Sequence, residues 1–315
     1  MKAALLALSL VAAAVAMGDR FGFVQDRLPP QTGVKPVKIA EVPGYCEGIV
    51  FDRAGLGYVS DTQHGTIYSV TTDGRTAIWA KTTAPNGHKI LADGTHLVCD
   101  KGAVLHLDAG GKRLADASNE CEGTPLRAPN DLTIDPKGGF YFTDPGGSNQ
   151  QNPIGTVHYV DPGGKTHLVA QGLAFPNGIV LRPDGKTLVV GESERNRVLA
   201  YPVIAPGKLG PQQVFANLPA KQGDQIENAP DGMALDEDGN LFIAHYGMHT
   251  VQVLSPDGKL LRSYPGGNLT TSNVAFWGPK MDQLFITGAL ADEKTSRGAV
   301  WRLDLKGVRG LRLLR

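Results

Sequence analysis

The stretch APDGMALDEDGNLFIAHYG, residues 229–247, contains the pattern that decides the fold. A proline and an acidic residue, Pro230 and Asp231, stand before a short apolar strand. A turn rich in Asp and Gly follows, and then a second strand of aromatic and aliphatic residues. Two further strand-like segments, TVQVLS and LLRSY, complete the unit. Four short strands joined by tight turns predict a small antiparallel sheet.

The same order of features recurs along the chain, and each copy opens on a small polar or acidic residue. These openings are Glu47-Gly48, Asn86-Gly87, Asn130-Asp131, Asn177-Gly178, Asp231-Gly232 and Asn273-Val274. They are spaced by 39, 44, 47, 54 and 42 residues, which is the repeat length of one blade of a β-propeller. The sequence therefore predicts an all-β fold over residues 35–310, a six-bladed β-propeller of four-stranded antiparallel blades.

One segment ahead of the first repeat has no blade of its own. It reads VKIAEV, residues 37–42, and we expect it to be the outer strand of the last blade, beside AVWRLD near the C-terminus. Pairing the two ends of the chain in this way closes the ring and protects an exposed sheet edge. Residues 17–34, rich in Pro and Gly, are expected to form an N-terminal leader on the outside.

The first residues have a different character from the repeats. Lys2 precedes the apolar residues 3–16, which end in a small-x-small cleavage pattern. The stretch is short for a membrane span, so we expect residues 1–16 to be a signal peptide and the mature protein to be periplasmic or secreted. A retained N-terminal anchor is the alternative.

The charge balance narrows the choice of partners. The chain has 31 basic and 31 acidic residues, and no basic stripe interleaved with aromatic residues. This argues against nucleic acid, and against a membrane once the signal peptide is removed. We expect a small-molecule substrate, and a monomer, because a closed propeller leaves no free sheet edge.

The chain has three cysteines, Cys46, Cys99 and Cys121. In an oxidising compartment one pair could form a disulfide, and Cys99 with Cys121 is the hypothesis because both lie in the second repeat region. Cys46 precedes Glu47, but no nearby His pattern supports a nucleophile, so we interpret it as a wall residue of the channel.

The repeat openings carry the chemistry. A separate set of pairs, Asp73-Gly74, Asp93-Gly94, Asp184-Gly185 and Asp257-Gly258, lies between strands and serves as hairpin turns. The openings instead begin strands, four of them after proline, and a propeller brings its first strands to the central channel. Glu47 and Asp231 would supply two negative charges, and Asn130 and Asn177 neutral oxygens, for a hard cation. Such an ion could polarise a carbonyl or phosphoryl oxygen, or could be purely structural.

Five motifs in order resemble the senescence marker protein, gluconolactonase and luciferin-regenerating enzyme family of six-bladed propellers. The resemblance covers roughly residues 45 to 305. The motifs are CEGIVFD, RAPNDLTIDPKGGFYFTDP, GLAFPNGIVLRPDGKTLVVGES, APDGMALDEDGNLFIAHYG and TTSNVAFWGPKMDQLFITG.

The resemblance implies a divalent cation held by Glu47, Asn177 and Asp231, with Asn130 contacting the ion or the substrate. It implies a metal-dependent hydrolase of lactones in which Asp231 is the catalytic base or nucleophile. The expected ion is Ca²⁺, with Mg²⁺, Mn²⁺ or Zn²⁺ as alternatives. The alternative functions are an arylesterase or phosphotriesterase of the same propeller type, and a non-catalytic metal- or ligand-binding propeller.

Three further residues are candidates for binding substrate. Members of the family often have an Arg-Phe-Asn stretch before Pro-Asn-Asp, whereas Arg127 here is in a different register; it could reach a sugar hydroxyl or carboxylate, or be an exposed loop residue. His88 could aid proton transfer, or be a packed or solvent-facing residue. Tyr246, with the adjacent His245, could face the substrate, or pack between blades.

Overall fold

The computed structural model of the protein describes residues 27–291 and 297–311. Six antiparallel sheets are arranged as a six-bladed β-propeller, which confirms the predicted all-β fold. The predicted signal peptide, residues 1–16, and residues 17–26 of the leader lie outside the described residues. Within the described part of the chain, no helix has the length and apolar character needed to cross a membrane.

The blades are numbered 1 to 6 along the chain, and the strands of each blade are called inner, second, third and outer. The inner strands are Cys46–Phe51, His88–Ile90, Leu132–Ile134, Pro176–Leu181, Ala229–Leu235 and Thr270–Trp277. The second strands are Gly57–Asp61, His96–Asp100, Phe140–Asp144, Thr187–Glu192, Leu241–Tyr246 and Gln283–Ala289. The third strands are Thr66–Val70, Ala103–Leu107, Gly155–Val160, Arg197–Ala205, Thr250–Leu254 and Gly298–Asp304. The outer strands are Thr76–Lys81, Arg113–Ser118, Thr166–Leu173, Gln213–Asn217, Leu260–Pro265 and Val37–Val42.

A few short elements supplement the blades. A hairpin of Glu120–Cys121 and Thr124–Pro125 lies between blades 2 and 3, and Lys208–Leu209 pairs with the third strand of blade 4. The two 3-10 helices are Gln31–Gly33 and Ser193–Arg195.

The ring is closed by the N-terminal strand, as predicted. Val37–Val42 pairs antiparallel with Gly298–Asp304, so that the outer strand of blade 6 comes from the opposite end of the chain. This pairing ties the two ends together and covers the edge that the third strand of blade 6 would otherwise expose.

The hydrophobic core is divided into six clusters, one between each pair of neighbouring blades. The cluster between blades 5 and 6 also receives Leu28 and Val34 from the leader, both of which are buried. The Tyr264 hydroxyl donates a hydrogen bond to the carbonyl oxygen of Pro29 at 2.7 Å. Residues 27–34 of the leader are therefore packed against the outside of the propeller.

The inner strands of four blades are irregular at the repeat opening. The pairing register of the inner and second strands shifts there in blades 1, 4, 5 and 6. A β-bulge of this kind redirects a side chain and bends the strand. The following glycine permits close packing of the next blade: a Cβ atom on Gly48, whose φ is +31°, would lie 1.9 Å from the carbonyl oxygen of Asn86.

The predicted disulfide is wrong, because all three cysteines are free and buried. Cys99 packs in the cluster between blades 2 and 3, whereas the Cys121 thiol lies 3.7 Å from the carbonyl oxygen of Thr166 and can donate to it. Cys46 packs in the core between blades 6 and 1, and burial raises the pKa of its thiol to about 12. A thiol with so high a pKa is a poor nucleophile, as expected, although Cys46 lies in the core between two blades and not among the residues that line the central cavity.

Candidate active site

One end of the central channel opens into a cavity of about 660 Å³. Its floor is formed by the opening residues of blades 1 to 5, namely Glu47, Asn86, Asn130, Asn177 and Asp231. Farther along the same inner strands the channel is lined mostly by apolar side chains, among them Ile49, Met233 and Val274. The polar groups of the axis are thus concentrated at one end.

Each opening residue is held through the backbone three positions ahead of it. In blade 3 the carboxylate of Asp144, at the end of the second strand, accepts hydrogen bonds from the amides of Arg127 at 2.9 Å and Ala128 at 2.8 Å. Since these amides lead directly into Asn130, the carboxylate fixes the course of the chain toward the axis.

The same arrangement recurs around the ring. A residue at or near the end of the second strand contacts the segment before the opening in the other five blades: Asp61 with Gly44, Asp100 with Thr83 and Ala84, Glu192 with Ala174, His245 with Asn228, and Ala289 with Thr270. We call Asp61, Asp100, Asp144 and Glu192 the clamp carboxylates. Glu192 is itself buried between two guanidinium groups, with Arg195 Nη1 at 2.7 Å and Arg197 Nε at 2.5 Å.

Hydroxyl groups connect neighbouring blades at the same level. Ser60 Oγ donates to the carbonyl oxygen of Asn86 at 2.7 Å, and Thr143 Oγ1 donates to that of Asn177 at 2.8 Å. Ser193 Oγ donates to the carbonyl oxygen of Pro230, next to Asp231, at 2.6 Å. The backbone on which the opening residues stand is therefore hydrogen-bonded within and between blades, so that their side chains are preorganised.

The cavity brings together side-chain oxygen atoms that lack hydrogen-bond partners. Four buried atoms of this kind belong to residues lining the cavity, one each from blades 1, 2, 4 and 5: Glu47 Oε2, Asn86 Oδ1, Asn177 Oδ1 and Asp231 Oδ1. Leaving a buried acceptor without a partner costs about 1–3 kcal/mol. Because all four atoms are oxygens from different blades facing one cavity, a shared cationic ligand would satisfy them together.

Burial disfavours the charged forms of the Glu47 and Asp231 carboxyl groups when no cation is bound. Burial, together with the charge of Asp131 and against a hydrogen bond from Tyr45, raises the pKa of Glu47 to about 8. Burial and the charge of Glu47 likewise raise the pKa of Asp231 well above its usual range. Lys89 Nζ lies 3.7 Å from Asp131 Oδ1, whereas within the described residues no ion pair reaches Glu47 or Asp231.

These donors fit a hard divalent ion. Two carboxylates would balance its charge, and amide oxygens would complete its coordination, as is common for Ca²⁺ in proteins. Within residues 27–291 and 297–311 there is no group of three or more His, Cys, Asp or Glu side chains arranged to hold a metal. A site at the axis would therefore rely on its Asn side chains.

The predicted site residues divide into two groups. Glu47, Asn130, Asn177 and Asp231 all line the same cavity, and so does Tyr246. Their roles as metal ligands, catalytic group and substrate contact stay predictions.

Arg127 and His88 lie elsewhere. The exposed Arg127 donates from Nη2 to the carbonyl oxygen of Ile154 at 2.7 Å, so its guanidinium supports a loop. His88 is buried, with Nε2 at 2.8 Å from His96 Nδ1, and its ring stacks on Trp79. His245 is also a packed residue, between Asn196 and Gln252.

The sequence named Asn86 as a repeat opening but not as a site residue, and it did not single out other residues of the cavity, among them Tyr45, Glu194 and Glu227. Asn86 carried a usable signal, because Pro85-Asn86-Gly87 matches the Pro176-Asn177-Gly178 of blade 4. Tyr45 lies two residues before Glu47, and its hydroxyl donates to Glu47 Oε1 at 2.9 Å. No repeated pattern marks Tyr45.

Residues 45–290 match the family model described as the SMP-30/Gluconolactonase/LRE-like region. The chain is similar to the lactonase drp35 of Staphylococcus saprophyticus, at 31% identity over 90% of this chain and 89% of that protein. It is 32% identical to a gluconolactonase of Zymomonas mobilis over 65% of this chain and 60% of the relative's length. It is also 27% identical to the diisopropyl-fluorophosphatase of Loligo vulgaris, over 84% and 90% of the two chains.

A solved structure supports the same fold. The structure of XC5397 from Xanthomonas campestris, described as a gluconolactonase, superimposes with a TM-score of 0.74 at 25% identity. The match covers 87% of this chain and 91% of that one.

Proposed function

The chain belongs to the SMP-30/gluconolactonase/LRE-like family, and from this membership we propose that it is a divalent-metal-dependent hydrolase of lactones. The reaction adds water to the lactone carbonyl carbon and breaks the ring carbon–oxygen bond, which gives a hydroxy acid. The observation that carries the proposal is the set of four unpartnered buried oxygens facing one cavity, on Glu47, Asn86, Asn177 and Asp231.

The residues of the floor would hold the ion, and a bound divalent ion would polarise the substrate carbonyl. Asp231 is the group proposed to activate water or to attack the carbonyl directly. A carboxylate that binds a metal ion is a weak base, so the role of Asp231 depends on a water or substrate held close to it at the cavity floor. Asn130 and Tyr246 line the same cavity and are proposed to contact the substrate.

Ca²⁺ is the ion we propose, with Mg²⁺ as the next choice. Among the described residues that line the cavity there is no His and no Cys, the ligands that favour Zn²⁺. Carboxylate and amide oxygens are the donors that Ca²⁺ takes in proteins.

An uncharged lactone is the proposed substrate class. Besides Glu47 and Asp231, the described lining includes the carboxylates of Glu194 and Glu227 but no Lys, Arg or His. One divalent ion would leave the cavity with excess negative charge. This charge would disfavour anionic substrates and would favour departure of the product carboxylate.

A second candidate is hydrolysis of phosphotriesters or aryl esters. The similarity to a diisopropyl-fluorophosphatase favours it, and both reactions develop negative charge on an oxygen that a cation can stabilise. The lactonase proposal is preferred because two relatives named for lactone hydrolysis are matched at 31% and 32% identity.

Hydrolysis of a substrate panel tests the proposal. Sugar and aliphatic lactones would be compared with aryl esters and phosphotriesters, with and without chelator, beside Asp231→Ala. We expect lactone turnover that disappears on chelation, returns with Ca²⁺ and is absent in the variant. Turnover of the aryl or phosphotriester substrates alone would support the second candidate, and chelator-resistant lactone turnover would refute metal dependence.

Export is proposed on the basis of residues 1–16, so that the reaction would take place in the periplasm or outside the cell. N-terminal sequencing of the native protein should then begin after Ala16. A start at Met1 would contradict it.

A further inference from the structure

The hydroxyl of Tyr45 occupies one oxygen of the Glu47 carboxylate and leaves the other facing the cavity. Tyr45 OH donates to Glu47 Oε1 at 2.9 Å, whereas Glu47 Oε2 is buried without a hydrogen-bond partner. The carboxylate thus has two distinct oxygens, one engaged by the protein and one available to a ligand. Rotation of the carboxylate would break the hydrogen bond from Tyr45.

Tyr45 is itself fixed on both sides of its peptide. Its amide donates to Gln63 Oε1 at 3.1 Å, and its carbonyl oxygen accepts from the amide of Thr62 at 3.2 Å. The carbonyl oxygen of the next residue, Cys46, accepts a hydrogen bond from Ser272 Oγ of blade 6 at 2.6 Å. The phenol is therefore carried by a backbone held to both blade 1 and blade 6.

The phenol also lies among the charged groups of the cavity floor. Tyr45 lines the cavity with Glu47 and Asp231.

We propose that Tyr45 is a positioning residue that orients Glu47 so that a single carboxylate oxygen is presented to the divalent ion. A hydrogen-bonding partner behind a metal ligand fixes the orientation of that ligand, and its loss typically weakens metal binding by 10- to 100-fold. The inference rests on the proposed metal dependence, and it assigns Tyr45 a role in metal affinity rather than in contact with the reacting atoms.

Titration with Tb³⁺ tests the assignment without any substrate. Tb³⁺ prefers oxygen ligands as Ca²⁺ does, and its emission is excited through nearby tyrosines. Wild type and Tyr45→Phe would be titrated with Tb³⁺ and the bound ion displaced with Ca²⁺, which gives a Kd for both ions. Tyr45→Phe keeps the ring and removes only the donor, so we expect its Kd to be about tenfold higher.

Two controls separate positioning from structure. Tyr68→Phe makes the same chemical change in the third strand of blade 1, away from the cavity lining, and should leave the Kd within about twofold. Thermal unfolding in chelator should remain cooperative in Tyr45→Phe, with a Tm lowered by no more than the few degrees that the loss of one hydrogen bond to a buried carboxyl explains.

The outcomes are distinguishable. Weaker binding in Tyr45→Phe, with cooperative unfolding and a Tm in chelator within a few degrees of wild type, supports the assignment. Unchanged or tighter binding overturns the assignment, and so does a loss of affinity in a variant that no longer unfolds cooperatively in chelator. If wild type binds neither Tb³⁺ nor Ca²⁺, the proposed metal dependence itself fails.

Discussion

Glu47 illustrates at the scale of one residue how the site stores free energy. Its carboxyl is buried, and its pKa of about 8 means that its charged form is less stable in the folded protein without a cation than it would be in water. A binding site of this kind is expected to cost stability until its ligand arrives.

Replacing Glu47 with Gln should therefore stabilise the metal-free protein. Gln keeps an oxygen for Tyr45 and removes a buried charge, so we expect a gain of about 1–2 kcal/mol in the free energy of unfolding at pH 9 in chelator. In excess Ca²⁺ the order should reverse, because only wild type gains from binding. Denaturant unfolding measures both free energies. The control Glu122→Gln, an exposed change outside the cavity lining, should shift neither by more than about 0.5 kcal/mol. Equal destabilisation of Glu47→Gln in both conditions would contradict the account.

The sequence was sufficient to predict that four residues meet at the axis, because each of them opens a repeat: Glu47, Asn130, Asn177 and Asp231. The prediction that His88 contacts the substrate was wrong. His88 begins the inner strand of blade 2, whereas Asn86 precedes that strand. The alternation of side chains along a strand therefore does not relate the two residues. Arg127 could not be placed either, since the carbonyl oxygen of Ile154 that binds its guanidinium belongs to a loop without a repeated pattern.

The clamp carboxylates act at the scale of the strand. Each ends a second strand and holds the segment that leads to an opening residue, so a change there should affect both stability and the geometry of the axis. Two of these contacts, those of Asp144 with the amides of Arg127 and Ala128, are 2.9 Å and 2.8 Å long.

Asp144→Ala should destabilise the protein by about 1–3 kcal/mol, because two backbone donors lose their acceptor. Denaturant unfolding would measure the change, and displacement of Asn130 should raise the KM for the lactone. The matched control is Asp184→Ala, in an exposed turn where the carboxylate accepts from the amide of Lys186 at 2.9 Å. It should cost less than about 1 kcal/mol. Equal costs for the two variants would argue against a clamp.

Hairpins and ring closure could be predicted, but the bulges could not. The turn at Asp73-Gly74 needs a residue with positive φ, and Gly74 has a φ of +93°. The turn can therefore be predicted from the local sequence alone. Val37–Val42 was predicted as an outer strand because it had no blade of its own. The register shift between Glu47 and Val50 depends instead on the neighbouring blade, whose Asn86 carbonyl approaches Gly48.

At the scale of the whole molecule, buried histidines should make the fold sensitive to acid. Burial lowers the pKa values of His96, His158 and His245 to about 4, from an ordinary value of 6.5. Between these values the unfolded chain binds more protons than the folded one, so stability falls as the pH falls. We expect Tm in saturating Ca²⁺ to decrease from pH 6.5 to pH 4, with a shallower decrease in His245→Gln. Identical slopes would exclude His245 as a contributor.

The charge of the whole cavity predicts a preference among lactones. At low salt kcat/KM should be at least about tenfold higher for a neutral lactone than for one of the same ring bearing a carboxylate or phosphate. The ratio should narrow in 1 M salt, where charges are screened beyond about 3 Å. The ratio of kcat/KM for the neutral lactone to that for the anionic lactone should fall about threefold in each of the variants Glu194→Gln and Glu227→Gln. A preference for the anionic lactone would contradict the proposed substrate class.

The central claim is that the axis of this propeller binds one divalent ion between blades, and crystals soaked with Tb³⁺ test it most directly. Anomalous scattering locates the ion without reference to activity. The account predicts one strong peak among Glu47 Oε2, Asn86 Oδ1, Asn177 Oδ1 and Asp231 Oδ1, displaced when Ca²⁺ is added. If no anomalous peak appears at the axis, whether or not Tb³⁺ binds elsewhere in the crystal, the claim is contradicted.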